Sequence, residues 1–198
     1  LIPGGFGKRG TEGKIKVIKH AREKQIPFLG ICLGMQLLVI EYARNCAGLK
    51  EASSEEFDEK SNSSEDHLIY HLSKWIKDQK VEIRSKVQNK GGTMRLGAYP
   101  AKIKKGTMAY SIYKKAIVSE RHRHRFEVNV NYQKVLEDSG LTFSGFSQDG
   151  SLPEVVELSS HPFFLGVQFH PELKSKPFEP HPIFSNFIKK ALEQTRLV

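Results

Sequence analysis

The feature that most limits how this chain can fold is a cysteine between two glycines, in the stretch Gly30-Ile31-Cys32-Leu33-Gly34. The apolar run Ile26 to Ile31 before it predicts a short buried strand, and the segment Leu33 to Arg44 after it predicts a helix. Glycine two positions before and after the cysteine permits a sharp turn, because a Cβ at either position would crowd it. We therefore expect a strained turn that holds the sulfur exposed at the carboxyl end of a sheet.

Such a turn favours a chemically active cysteine. The helix after Cys32 directs free N–H groups at the sulfur, and this arrangement lowers the pKa of a thiol. A lone cysteine is more often a buried structural residue. The symmetric pair of glycines shifts the balance, so Cys32 is treated as a candidate nucleophile.

The order of the predicted elements around Cys32 is typical of an α/β fold. Apolar residues recur at helical spacing from Gly13 to Lys24, so the chain runs helix, strand, turn, helix, which indicates a parallel sheet. The run Phe163 to Phe169 is apolar on both faces and predicts a central strand, and Ile183 to Gln194 predicts a closing helix. The remaining predicted elements are strands at Leu141 to Phe146 and Val155 to Leu158, a helix at Asn131 to Ser139, and an added strand or hairpin at Thr93 to Gly97. Alternation at Leu68 to Leu72 suggests a strand, although Trp75 and Ile76 could extend a helix there instead.

Length and composition fit one domain of ordinary size. The chain has 198 residues, of which 38% are hydrophobic and 27% charged, and its apolar runs are shorter than the roughly 18 residues of a membrane-spanning helix. Cys32 and Cys46 lie about 20 Å apart along the predicted helix, beyond disulfide reach, so a reducing cytoplasmic setting is expected. Most of the net charge of +9 is interpreted as solvated surface, because the lysines are dispersed; a nucleic acid, anionic nucleotides or an acidic partner surface are the alternatives.

A second candidate for chemistry is His170-Pro171-Glu172, at the end of the predicted strand Phe163 to Phe169. A His and a Glu two residues apart can have their side chains on the same side. Glu172 could then hold His170 while His170 takes the proton of the Cys32 thiol. The alternative is an ordinary surface turn after a strand, and this motif alone leaves the two interpretations about even.

Two further stretches are ambiguous without their context. The glycine-rich loop Pro3 to Gly7 could cradle a phosphate or present backbone N–H groups to an oxyanion, although it lacks a Walker or dinucleotide pattern. On a strand, the arginines of Glu120 to Asn129 would share one face and its two histidines the other. The pattern favours a solvated or RNA-binding basic strand over metal binding by the two histidines or a guanidinium clamp on a substrate carboxylate. These residues are Arg121, Arg123 and Arg125, and His122 and His124.

Seven motifs together resemble a known family. Three of them, Pro3 to Gly7, Gly30 to Gln36 and His170 to Glu172, resemble the triad-type (class I) glutamine amidotransferases. The other four narrow the resemblance to the glutaminase domains of CTP synthases, and the resemblance runs essentially from Leu1 to the last helix. These four are Arg9 to Gly13, Glu55 to Phe57, Gly91 to Gly97 and Arg121 to Asn129.

The resemblance implies a role for individual residues. Cys32 would attack the side-chain amide of glutamine and form a γ-glutamyl thioester, with His170 as general base and then acid, and Glu172 orienting His170. The oxyanion hole would use N–H groups of Leu33 and of Gly4 or Gly5. Arg125 would bind the substrate, which reverses the ranking given above for this arginine alone. The implied glutamine-binding residues are Gln36, Glu56 and Arg125, and the region linked to activation by GTP comprises Phe6, Arg9, Gly10 and Glu12.

The resemblance also implies a fold and a set of partners. Residues 1–198 would form one glutamine amidotransferase domain, a flavodoxin-like, three-layer helix-sheet-helix with a mostly parallel central sheet. The first strands of the domain and the amidoligase (synthase) domain would lie outside this sequence. The complete enzyme would be a ligase of pyrimidine biosynthesis, a cytoplasmic homotetramer that uses ATP and Mg²⁺ in the amidoligase domain to turn UTP into CTP.

This domain itself would bind L-glutamine and need no metal or cofactor, no nucleic acid and no membrane. Two alternatives remain from the sequence. One is a γ-glutamyl hydrolase of the same fold, which would have the cysteine and histidine but no ammonia acceptor. The other is a catalytically silent basic binding module, which would bind nucleic acid in a salt-dependent manner.

Overall fold

The computed structural model describes residues 1–57, 67–71, 74–77, 80–83 and 94–195, with 74–77 and 80–83 as backbone only. The helices are α1 Thr11–Glu23, α2 Leu33–Asn45, α3 Met108–Tyr113, α4 Gln133–Asp138 and α5 Pro182–Thr195. The strands are β1 Phe28–Ile31, β2 Ile69–His71, β3 Lys74–Lys77, β4 Lys80–Ile83, β5 Arg95–Ile103, β6 Ile117–His124, β7 Phe126–Val128, β8 Thr142–Ser147, β9 Pro153–Glu157 and β10 Phe164–Val167. Short 3₁₀ turns cover Val130–Tyr132 and Pro171–Leu173.

The central sheet has six strands in the order β1-β10-β9-β8-β5-β6. Strands β1 and β10 run parallel, and Ile2 adds a parallel bridge to Gly30. The other four pairs are antiparallel, so the prediction of a mostly parallel sheet is wrong for the described residues. The short connections Gln148 to Leu152 and Leu158 to Phe163 explain this, because parallel neighbours need a crossover of a dozen or more residues.

Helices cover both faces of this mixed sheet, which confirms the expected three-layer α/β architecture. One face packs against α1, α2 and α4, and the other packs against α3 and α5. Alternate residues of each strand enter the two cores, as the period of a strand requires. The side chains on the first face include Phe28, Phe143, Val156 and Phe164, and those on the second include Leu29, Val155 and Leu165.

The helices next to the cysteine follow the predicted pattern. The α1 helix buries Ile15, Ile18 and Ala21 on one side and leaves its charged residues outside. The α2 helix is buried from Leu33 to Ala43, because it lies between α1 and the sheet. This packing fixes the start of α2, and therefore Cys32, relative to β1 and β10. No helix in the part of the chain that the structure describes is long and apolar enough to cross a membrane.

The predicted strand at Thr93 to Gly97 is the start of the longer strand β5, and Gly91 to Thr93 lie outside the described residues. The predicted strand at Leu68 to Leu72 is β2, which pairs with β7; Leu72 also lies outside the described residues. The predicted helix at Asn131 to Ser139 is α4, preceded by a 3₁₀ turn. Both cysteines are free thiols, with Cys32 buried and Cys46 exposed.

Candidate active site

Cys32 occupies the sharp turn between β1 and α2 that the two glycines predict. Its backbone has φ 52° and ψ −106°, a strained conformation for a residue with a side chain. A Cβ on Gly30 would lie 2.6 Å from the carbonyl group of Gly34, and a Cβ on Gly34 would lie 2.3 Å from the carbonyl oxygen of Ile2. Both positions therefore require glycine, as the sequence indicates.

The thiol itself is not exposed, which corrects the sequence-based expectation. Cys32 is only 2% exposed, because α2 and the end of β10 cover it. Burial raises the pKa of the Cys32 thiol to about 12, although the N–H of Leu33 acts to lower it. The predicted lowering by the helix is thus wrong for the free protein, where desolvation outweighs the helix N–H groups.

His170 and Glu172 form the expected pair at the end of β10. The His170 Nδ1 atom lies 2.6 Å from Glu172 Oε1, and the backbone N–H of His170 donates to the carbonyl of Arg121. Burial acts to raise the pKa of Glu172, but the hydrogen bond with His170 and its charge lower that pKa overall. The carboxylate therefore accepts Nδ1–H, and the buried Nε2 atom, which has no hydrogen-bond partner among the described residues, is left to accept a proton.

The glycine-rich loop brings these residues together. A Cβ on Gly4 would lie 2.7 Å from His170 Cε1 and 3.5 Å from Cys32 Cβ. A Cβ on Gly5 would lie 3.2 Å from the Leu33 side chain. The loop backbone thus runs past the cysteine, the histidine and the start of α2, where the sequence analysis expects the oxyanion hole.

The next part of the loop lies against two of the predicted glutamine-binding residues. The Gly7 N–H donates to Glu56 Oε1 at 2.8 Å, and the Arg125 guanidinium carbon lies 5.6 Å from the centre of the Phe6 ring. Burial raises the pKa of Glu56 more than Gly7 and Arg125 lower it. The negative charge of Glu56 also acts on Cys32, so this carboxylate lies within electrostatic range of the thiol.

Gln36 is linked to the sulfur by two hydrogen bonds, by way of Gln168. Its Nε2 atom donates to the Phe126 carbonyl at 2.9 Å and to Gln168 Oε1 at 3.3 Å. Gln168 Nε2 in turn lies 3.8 Å from Cys32 Sγ. Gln168 is not among the predicted site residues, although a polar residue inside the apolar run Phe163 to Phe169, two positions before His170, is a usable signal.

The predicted GTP region runs from the same loop into the first turn of α1. Gly10 has φ 72° and forms the N-cap of α1, and Arg9 is exposed. Glu12 pairs with Arg44 of α2 at 3.0 Å. Phe6 is therefore the member of this set that the structure places beside the predicted glutamine-binding residues.

The arginine-rich strand β6 has the predicted two faces. Arg121 and Arg123 are exposed, whereas His122 and His124 are buried. Arg125 differs from the prediction, because it lies at a bend after β6 and is partly buried.

The two histidines belong to a buried ionic cluster that the sequence analysis does not find. His122 lies 3.1 Å from Glu154, and His124 lies 2.6 Å from Glu127. Arg95 contacts both carboxylates, Glu154 at 2.6 Å and Glu127 at 3.3 Å. Across the described residues, no group of three or more His, Cys, Asp and Glu side chains is arranged to hold a metal ion.

Comparisons with known proteins agree with this site. The family model for class-I glutamine amidotransferases matches residues 1–190. The chain is 56% identical to the CTP synthase of Roseobacter denitrificans and 58% identical to those of Cereibacter sphaeroides and Zymomonas mobilis. These matches cover all of this chain but 36% of each relative, so the chain spans little more than a third of their length.

Solved structures give the same result. The CTPS glutaminase domain of Trypanosoma brucei, solved with bound acivicin, is 40% identical and matches with a TM-score of 0.83 over 96% of this chain and 69% of that one. A protein from Thermoplasma acidophilum, described as a GMP synthase component, shares the fold, with a TM-score of 0.58 at 17% identity over 98% of this chain and 73% of that one. The chain therefore belongs to the class-I glutamine amidotransferases, and within that family to the glutaminase domains of CTP synthases.

Proposed function

We propose that residues 1–198 form a glutaminase domain that releases ammonia from the side-chain amide of glutamine through Cys32. The observation that carries this proposal is the position of Gly4, whose backbone lies against both Cys32 and the His170 that Glu172 holds. A nucleophile, a base and a carboxylate in this order are the components of acyl transfer by a triad.

The reaction begins when His170 Nε2 takes the thiol proton and the Cys32 sulfur attacks the amide carbon. The carbonyl oxygen becomes an oxyanion, which the N–H groups of Leu33 and of Gly4 or Gly5 stabilise. The bond from carbon to nitrogen breaks as His170 returns the proton to the leaving nitrogen, so ammonia departs and a γ-glutamyl thioester remains. His170 then takes a proton from a water molecule whose oxygen attacks the thioester carbon. The carbon–sulfur bond breaks, His170 returns the proton to the sulfur, and glutamate departs.

Glu56 and Arg125 suit the two charges at the other end of the substrate. A carboxylate attracts the ammonium group of an amino acid, and a guanidinium fork binds its carboxylate. Gln36 supports the site differently, because its amide is already bonded to Phe126 and Gln168. We assign it to holding that side of the pocket.

The CTP synthase relatives are longer than this chain, and the length that the chain does not match supports a second catalytic domain. We propose that an amidoligase domain in the complete enzyme uses ATP and Mg²⁺ to activate UTP and receives the ammonia to make CTP. The complete enzyme would be a cytoplasmic homotetramer without a nucleic acid or membrane partner. A native mass measurement of the complete enzyme, with and without the nucleotides, tests the proposed assembly.

The same proposal includes activation by GTP through the loop from Phe6 to Glu12. Arg9 is exposed in the loop that carries Phe6, and Glu12, in the first turn of α1 after this loop, pairs with Arg44 of α2. In the complete enzyme, Arg9→Ala should remove GTP stimulation of glutamine hydrolysis and leave the unstimulated rate unchanged. The neighbouring Lys8→Ala is the matched control, and equal stimulation in both variants would remove Arg9 from the proposal.

The first experiment is intact-mass analysis after incubation with diazo-oxo-norleucine, an electrophilic glutamine analogue. One adduct on Cys32, absent from Cys32→Ala and blocked by excess glutamine, is the expected result. No adduct on the folded chain would call for the same test with the complete enzyme. A complete enzyme that stays unlabelled at Cys32 would exclude the glutaminase function.

A further inference from the structure

Gln168 is the first residue after β10 and lies two positions before His170. Its side chain is fully buried, and its backbone N–H donates to the carbonyl of Glu154. The preceding residue, Val167, accepts the backbone N–H of Cys32 at 2.7 Å. Gln168 is therefore fixed by its backbone directly beside the nucleophile, and its side chain points at the sulfur, with Nε2 3.8 Å from Sγ.

The orientation of this amide follows from a chain of hydrogen bonds. The chain begins at the Phe126 carbonyl, which can only accept, so the group of Gln36 that faces it must be NH₂. The same NH₂ group lies 3.3 Å from the side-chain oxygen of Gln168. The NH₂ group of Gln168 consequently faces Cys32, because a reversed amide would place two donors against each other.

We propose that Gln168 is a further catalytic residue that donates an N–H to the Cys32 sulfur and stabilises the thiolate as it forms. This inference rests on the proposed glutaminase function in one respect, which is that the thiolate is used to attack glutamine. The hydrogen bond itself acts on the thiol whether or not glutamine is bound.

The charges around the sulfur explain why a neutral donor is needed there. Glu127 on β7, Glu172 after β10 and Glu56 after α2 all act against a negative charge on Cys32. His170 is the base that receives the proton. The backbone N–H of Leu33 favours the thiolate. Gln168 adds a second N–H donor to the sulfur, and because its side chain is neutral it adds no charge that could interact with His170.

The test measures the rate at which iodoacetamide alkylates Cys32 between pH 6.5 and 10, in a Cys46→Ser background that leaves one thiol. Gln168→Met removes the donor at similar size, and Gln168→Glu replaces the NH₂ group by oxygen at the same shape. We expect the rate near pH 7.5 to fall roughly tenfold or more in Gln168→Met, with the profile displaced to higher pH, and further in Gln168→Glu. Gln133→Met on α4 is the matched control and should leave the profile unchanged.

A third variant changes the other end of the same chain of hydrogen bonds. Gln36→Met releases the oxygen of Gln168 and should displace the profile in the same direction by a smaller amount. It also gives a result if the Gln168 variants do not fold. Profiles of folded Gln168→Met or Gln168→Glu that coincide with that of Gln133→Met, or an unchanged Gln36→Met profile, would overturn the proposal.

Alkylation separates this inference from the proposed function, because iodoacetamide needs no glutamine pocket. A chain that is not labelled by diazo-oxo-norleucine, but whose alkylation depends on Gln168, would contradict the glutaminase function alone. A chain that is labelled by diazo-oxo-norleucine, but whose alkylation does not depend on Gln168, would contradict this inference alone. A purely structural role of Gln168 would lower the unfolding midpoint without displacing the alkylation profile.

Discussion

The backbone of Gly4 lies against both the nucleophile and the base, so this position tolerates no side chain. The Cβ of Gly4→Ala would lie 2.7 Å from His170 Cε1, closer than non-bonded carbon atoms approach. The imidazole must then leave its present position. We expect glutamine hydrolysis to fall roughly a hundredfold or more, because small misplacements of reacting groups have effects of that size. Steady-state release of glutamate measures this.

The matched control is Gly13→Ala on the surface of α1. A Cβ on Gly13 meets no atom within 4 Å, and alanine stabilises a helix by up to about 1 kcal/mol relative to glycine. This variant should therefore keep full activity and unfold at a slightly higher denaturant concentration. Equal activity in both variants would show that the loop does not constrain His170.

Glu172 determines which nitrogen of His170 carries the proton. Because its pKa is lowered, Glu172 is charged at neutral pH and accepts Nδ1–H, so Nε2 is left unprotonated. Glu172→Gln can present its NH₂ group to Nδ1 and favour the opposite tautomer. We expect kcat to fall roughly a hundredfold or more with little change in KM, while the exposed Glu179→Gln stays at the wild-type rate. A Glu172→Gln variant with a raised KM and an unchanged kcat would assign Glu172 to substrate binding instead.

At the scale of elements, α1 and α2 are joined by an ion pair nine residues along α2 from Cys32. Glu41 is fully buried on α2, and Arg22 of α1 donates to both of its oxygens, from Nε at 3.0 Å and Nη2 at 2.8 Å. The hydrogen bond with Glu41 raises the pKa of Arg22. The pair thus holds α1 against the helix that starts at Cys32.

Removing the arginine alone leaves the Glu41 carboxylate buried without its cation. We expect Arg22→Met to lower the free energy of unfolding by about 3 kcal/mol, measured by urea denaturation. The exposed Lys19→Met on the same helix should change it by less than about 1 kcal/mol. Equal denaturation midpoints for the two variants would mean that water reaches Glu41.

The elements around the cysteine could be predicted because their signals are local. Helical spacing located α1, and the glycines around Cys32 located the turn before α2. The burial of the thiol is not local, since it depends on how α2 packs between α1 and the sheet. The direction of β8 and β9 likewise follows from which strands pair, and the sequence of one strand does not record its neighbour.

In the candidate site, too, local features could be predicted and features that depend on distant residues could not. The motifs carrying Cys32, His170 and Glu172 could be found in the sequence, because each residue type has a chemical role. Gln168 stands out in the sequence as a polar residue inside an apolar run, but its role could not be assigned there, because that role comes from Gln36, which lies 132 positions away. Arg95 of the ionic cluster lies 32 positions before Glu127 and 59 before Glu154, and only the sheet brings it to them.

Over the whole molecule, this cluster links several strands behind the active site. Arg95 on β5, His122 and His124 on β6, Glu127 on β7 and Glu154 on β9 are all buried. Phe169, next to His170, stacks on His122 with 6.0 Å between ring centres. The protonation of the cluster should therefore affect the stability of the whole domain.

The pKa values of the two buried histidines and of Glu154 shift in opposite directions. Burial and the charge of Arg95 lower the pKa of His122 well below 6.5, and burial lowers that of His124. Their contribution to stability is complete above about pH 6.5 and is lost as the pH falls through the folded pKa values, because the unfolded chain binds protons that the folded chain excludes. Burial raises the pKa of Glu154 to about 8. Its contribution is complete below the unfolded value of 4.5 and is lost as the pH rises through 8.

These opposing effects predict a maximum in the free energy of unfolding near pH 6.5, with slopes on the order of 1 kcal/mol per pH unit on either side. Urea denaturation from pH 5 to 8.5 measures the curve. His122→Asn should flatten the acid side and Glu154→Gln the alkaline side, whereas His20→Asn, an exposed histidine on α1, should leave both unchanged. A curve that keeps its acid slope in His122→Asn would mean that His122 is protonated inside the folded protein, where Glu154 could then pair with it as an ion.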